Sequence, residues 1–170
     1  GNDSIRSRRL KDVIASEENK FWKVISKNTN FSENLINLDQ RLLENYYKSI
    51  GFYDVEVNSS NVQVDEQKGD AKITYSINEG KRYTINKIST KIDPVFDKKI
   101  FFPLNKVFKE YAGDYYSPFK IKELLEEIDR IIEFNNLQFV EHNVQEIIEN
   151  DAINIVFNIF EGEKNLVERI

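Results

Sequence analysis

ITYSINEGKRYTINKI, residues 73–88, and IVFNIFEGEKNLVERI, residues 155–170, are one phrase written twice. Both have Ile at the first and fifth positions, an aromatic at the third (Tyr75, Phe157), Glu-Gly at the seventh and eighth, and a closing Ile. The offset, from Ile73 to Ile155, is 82 residues. That period is longer than the roughly 20 to 50 residues of solenoid repeats and suits small domains, each with its own core. The 170 residues therefore read as two domains of one kind.

The sequence around each phrase supplies the rest of the unit. Upstream of the first, Leu35, Leu38, Leu42, Tyr46 and Ile50 recur at helical spacing, with Gly51 placed to end the helix. Tyr53, Val55 and Val57 then alternate with Asp54, Glu56 and Asn58, the period-two pattern of a strand with one buried face. DEQKGD turns the chain back into the alternation Ile73, Tyr75, Ile77, an antiparallel hairpin. A short helix capped by Asp3 and Ser4 is expected to run to about Ser16.

The second half repeats this order behind an added strand, Tyr83 to Ile92. Pro103 opens a short helix, and Ser117-Pro118 a long one with the stripe Ile121, Leu124, Leu125, Ile128, Ile131, Ile132. Asn136, a residue tolerant of left-handed backbone, stands where Gly51 stood, and strands follow near Phe139–Ile147 and Ile153–Glu161. The fold class is thus α+β: two tandem strand-helix-helix-strand-strand units, each a three-stranded mixed sheet covered by two helices. Residues 1–81 are expected to be a unit whose opening strand lies before Gly1, 82–163 a complete unit, and 164–170 the start of the next or a linker.

Composition excludes several functions. A formal charge of −5 argues against nucleic acid, whose binding rests on clustered Lys and Arg. No cysteine removes disulfides, thiol catalysis and thiolate metal sites, and the single histidine, His142, removes multi-histidine sites. VDEQKGD lacks the alternating acidic ligands and distal Glu of a calcium loop. The two Glu-Gly pairs read as turns that need positive φ at glycine, with solvated glutamates. Nothing assembles nucleophile, base and oxyanion site, so no catalytic residue, metal or cofactor is expected. No apolar run approaches the ~18 to 20 residues of a spanning helix.

The order of elements, the Tyr-x3-Gly-aromatic signature (Tyr47, Gly51, Phe52) and the Glu-Gly turn resemble a POTRA domain, found in tandem in the Omp85 family. GNDSIRSRRLKDVIASEENKFWKVIS (1–26), LDQRLLENYYKSIGFYDVEV (38–57) and GDYYSPFKIKELLEEIDRI (113–131) are similar to the third and fourth units of the members that assemble outer-membrane proteins. Phe21-Trp22 departs from the family's Trp pair, and Asn135-Asn136-Leu137 replaces its Gly-aromatic pair.

The resemblance implies the periplasmic part of an outer-membrane β-barrel assembly factor from a Gram-negative bacterium. Its implied partners are unfolded outer-membrane proteins, accessory assembly lipoproteins, neighbouring POTRA units and a C-terminal β-barrel. It also implies that the second strand of each unit is the outer one, with free N–H and C=O groups for an extended chain. Tyr53, Asp54, Val55, Glu56, Val57 and Asn58 are the expected client edge in the first unit, preferred because Asp54 and Glu56 keep it solvated when empty. Trp22 and Phe160 are the candidate partner contacts, against core packing as the alternative for each. The alternatives for the whole are the POTRA region of a related transporter, serving autotransporter assembly or two-partner secretion, and a spacer that binds no client.

Overall fold

The computed structural model describes residues 1–16, 29–65 and 70–163. The chain divides into two compact units, Gly1–Arg82 and Tyr83–Ile170.

In the first unit, α1 (Ser7–Lys11) and α2 (Thr29–Ser49) precede a hairpin of β1 (Glu56–Asp65) and β2 (Asp70–Asn78), paired antiparallel with a bulge between Ser59 and Asn61. Leu10, Leu43, Tyr47, Phe52, Val55, Val57 and Ile77 form its core. α2 turns a different face to that core than its leucines suggest. The buried stripe is Ile36, Asp39, Leu43 and Tyr47, while Leu38 is 38% exposed. The stripe runs through a carboxylate. Asp39, 0% exposed, accepts from the N–H groups of Ala15 (2.7 Å) and Ser16 (3.2 Å) and from the Tyr75 hydroxyl (2.9 Å). Three donors satisfy a group that would be costly to bury alone. Burial and the bond to Asp39 push the Tyr75 phenol well above its usual value.

α2 ends as the sequence requires. Gly51 (φ 104°) is the left-handed residue of a Schellman closure, in which Phe52 N–H donates to Tyr47 C=O and Gly51 N–H to Lys48 C=O, each at 3.1 Å. Phe52 completes the motif by packing edge-on against Tyr47, ring centroids 5.5 Å apart. The turn through Tyr53 and Asp54 delays β1 to Glu56, three residues later than its alternation suggests. Arg82 closes the unit, its Nε donating to Ile50 C=O and its guanidinium lying over the Phe52 ring.

α1 is not capped by Asp3 or Ser4. It begins after Arg6, which occupies the cap position and makes no side-chain cap bond, while Ser4 is engaged elsewhere. The Ser4 N–H and hydroxyl both donate to the Glu79 carboxylate, which also accepts from the Tyr47 hydroxyl at 2.9 Å. Glu79 is therefore a tether between chain start, helix and hairpin and not a solvated turn residue. Gly80 does carry the left-handed backbone (φ 64°) expected of its turn, and a Cβ there would press on the Asp54 backbone. Gly162 has no positive φ, and its lack of a side chain instead makes room for Glu141.

The second unit holds β3 (Thr84–Ile92), a 3-10 turn (Lys98–Phe101), α3 (Leu104–Tyr111), α4 (Pro118–Phe134), β4 (Val140–Glu149) and β5 (Ala152–Glu161). Its sheet order is β3-β5-β4, with β5 parallel to β3 and antiparallel to β4. β5 alternates without a break, with Ile153, Ile155, Phe157 and Ile159 buried, and α4 buries the stripe Ile121, Leu124, Ile128 and Ile131. Asn136 (φ 50°) closes α4 as Gly51 closes α2: Leu137 N–H donates to Ile132 C=O and Asn136 N–H to Glu133 C=O.

Candidate functional site

Among the described residues, the outer strands of the two hairpins, β1 and β4, each pair on one side only. Which of their backbone groups face outward follows from the ladder, because directly opposed residues in an antiparallel pair alternate between bonded and non-bonded. In the second unit Gly162 N–H donates to Phe139 C=O, so Phe139 and Gly162 are a bonded pair. The register pairs His142 with Ile159 and Val144 with Phe157, which makes those pairs, and with them Val140 and Ile148, non-bonded. A bond on the far side of β5 agrees, since Ile159 C=O points to Asp93 N–H at 2.8 Å, away from β4. Val140, His142, Val144 and Ile148 therefore present their N–H and C=O groups to the open side of β4.

The other edges are less open. At the start of β3, Ile85 N–H donates to Asp114 C=O (2.8 Å), Gly113 N–H donates to Ile85 C=O (2.7 Å), and Tyr116 N–H reaches Tyr83 C=O. In the first unit, Gly1 N donates to Ile77 C=O at 2.8 Å on the outer side of β2, matching the bond from Asp93 to Ile159 one repeat later.

On β1 the outward residue is Val57, which the register sets opposite Ile77. Two side chains one turn apart on α2 reach it: Gln40 Nε2 donates to Val57 C=O (3.2 Å) and Val57 N–H donates to Glu44 Oε1 (3.4 Å). The helix thus imitates one residue of a neighbouring strand. By the 85-residue offset that relates Gly51 to Asn136, Gln40 becomes Leu125, Glu44 becomes Asp129 and Val57 becomes His142. Leu125 has no donor, and Asp129 Oδ1 lies 2.7 Å from the His142 ring Nε2 instead of engaging the strand backbone.

Of the residues expected at the first edge, Tyr53 and Asp54 lie in the turn before β1, Val55 and Val57 are buried, and Glu56 and Asn58 are exposed. Only Val57 offers outward backbone groups within that stretch of β1. Phe160 is half-buried on β5, facing away from Phe157 and Ile159 and opposite Glu141. Trp22 lies outside the described residues. Gln40 and Glu44 escaped sequence reading: as polar residues on a helix flank they carry no pattern, and only the strand's position gives them a task. Among the described residues no group of three or more His, Cys, Asp or Glu could hold a metal ion.

Glu79 is the electrostatic feature of the first unit. Burial pushes its carboxyl up, but the bonds from Ser4 and Tyr47 outweigh this and hold it below the ordinary glutamate value. A lowered folded-state pKa gives stability that is present above the unfolded value and lost as pH falls through the folded one. Wild type should therefore be more stable than Glu79→Gln at neutral pH, with the two converging as pH drops through and below the glutamate range. Urea unfolding at a series of pH values checks this; a constant difference down to acid pH would contradict it.

The family model POTRA, described as "Surface antigen variable number repeat", matches residues 1–80. The outer membrane protein assembly factor BamA of Neisseria meningitidis serogroup B is 23% identical over the whole chain, and BamA of Buchnera aphidicola subsp. Acyrthosiphon pisum 28% identical over 88% of it. The chain spans 21% and 24% of the length of these two relatives. Among solved structures, the POTRA3-5 segment of BamA from Haemophilus influenzae superposes with a TM-score of 0.66 at 16% identity, over 94% of this chain and 62% of that one.

Proposed function

We propose that the chain, whose residues 1–80 match the POTRA family model and whose fold is that of the BamA POTRA3-5 segment, is the periplasmic part of a BamA-like assembly factor that receives unfolded outer-membrane proteins by strand-edge pairing. The observation that carries the reading is the open side of β4, with the outward backbone groups of Val140, His142, Val144 and Ile148. A barrel precursor is a set of extended segments with alternating side chains, and backbone pairing at an edge accepts such segments whatever their sequence. Pairing needs no catalytic group, and the proposal is of a non-catalytic binding module. In the longer protein, neighbouring POTRA units, a β-barrel and accessory lipoproteins would be its further partners. A strand preceding Gly1 would take the outer side of β2, as β3 takes that of β5.

The test follows from the ladder. Val144 N–H faces out, so Val144→Pro removes an edge donor and puts a ring in the path of an incoming strand, while the bonds from β4 to β5 stay intact. A labelled ten-residue peptide of alternating aromatic and polar residues should bind this variant about five- to tenfold more weakly, the equivalent of roughly one net backbone hydrogen bond. Fluorescence anisotropy measures the affinity, and circular dichroism checks that the variant is folded. Unchanged affinity in a folded variant would contradict edge pairing, and no binding to either protein would favour the spacer.

A further inference from the structure

Between the two outer strands the structure draws a distinction that the repeat does not suggest. We infer that β4 accepts an extended chain directly, whereas β1 is held shut at Val57 by Gln40 and Glu44, which an incoming strand has to displace. The inference rests on the strand-pairing reading and assigns each edge a different part in it.

Four observations carry it. Gln40 and Glu44 occupy both outward backbone groups of Val57, one donating and one accepting, as a partner strand would. Val57 is the outward residue beside the body of the unit, where an arriving strand would also pack against α2. The 85-residue offset replaces Gln40 with Leu125, which cannot donate, so the second unit lacks half of the clasp by sequence alone. The carboxylate at the other clasp position, Asp129, is tied to the His142 side chain and leaves the His142 backbone to the edge. Both clasp residues are only half-buried on a helix flank. They can swing away into water and regain hydrogen bonds there, so the clasp weakens pairing without forbidding it.

The experiment uses isotope-labelled chain, wild type and Gln40→Met/Glu44→Met, titrated with the alternating ten-residue peptide and followed through backbone amide shifts. Methionine keeps each stem and the helix propensity while removing donor and acceptor. If the double variant proves unstable, Gln40→Met alone releases the carbonyl and tests the same point. In wild type the shifts should saturate first at Val140, His142, Val144 and Ile148. In the variant, Val57 and its neighbours should saturate at a peptide concentration lower than in wild type by about fivefold or more, with β4 unchanged, because both side-chain hydrogen bonds to Val57 no longer compete. Equal affinity at Val57 in both proteins, or tighter binding there than on β4 in wild type, would overturn the clasp and leave strand pairing standing. No saturable shift on either edge in either protein would overturn strand pairing and the clasp with it.

Discussion

Phe157→Ala should lower the unfolding free energy of the second unit by about 3 to 5 kcal/mol, the range for truncating a fully buried aromatic. Phe157 is 0% exposed and sits at the centre of β5, with Ile155 and Ile159 on the same face. Its ring lies nearly parallel to that of Phe108 from α3, centroids 5.8 Å apart with an interplanar angle of 11°. Alanine would leave a cavity between sheet and helices that neighbours on both sides, fixed by the β-ladder and by α4, fill only in part. Phe160→Ala is the control, the same chemical change three residues away on the other face of β5, and it should have a much smaller effect. Urea titration read from the second unit's own amide signals measures both. Equal losses for the two variants would mean that the core does not lie where the alternation of β5 puts it.

Tyr47→Ala is expected to be about as damaging to the first unit, again about 3 to 5 kcal/mol. Three functions meet in this side chain. The ring is 0% exposed, it packs edge-on with Phe52 across the Schellman closure, and its hydroxyl donates to Glu79, which also holds Ser4. Burial, together with the bond to Glu79, pushes the phenol above its usual value, so the hydroxyl is a donor at neutral pH. Tyr47→Phe separates ring from hydroxyl: it should cost about 1.5 to 3 kcal/mol, the range for one hydrogen bond to a charged acceptor. A Tyr47→Phe loss as large as that of Tyr47→Ala would contradict the importance given to the ring.

Sequence and structure agree best where one local rule governs. Gly51 and Asn136 end their helices because each closure needs a left-handed residue, and that requirement is visible in the residue type. The alternation of Ile153, Ile155, Phe157 and Ile159 shows the buried face of β5 for a similar reason: period two has a single reading there. α2 was harder. Its leucines suggest a stripe through Leu35, Leu38 and Leu42, yet the core-facing stripe passes through Asp39, and a buried carboxylate disguises a hydrophobic face. Asp39 is inside because Ala15, Ser16 and Tyr75 converge on it from elsewhere in the chain. Glu79 misleads likewise: the turn is local and legible, but the donors from Ser4 lie 75 residues away. The clasp on Val57 is the extreme case, because neither Gln40 nor Glu44 differs from any polar residue on a helix flank until the strand is in place.

Native hydrogen exchange with and without the alternating ten-residue peptide tests the central claim, that an extended chain pairs with the backbone at the open side of β4. In the free protein the outward amides of His142, Val144 and Ile148 should exchange far faster than the inward amides of Asn143 and Gln145. Saturating peptide should slow the outward set to the rate of the inward one, whereas outward amides that still exchange as in the free protein, with peptide demonstrably bound, would contradict strand pairing at this edge.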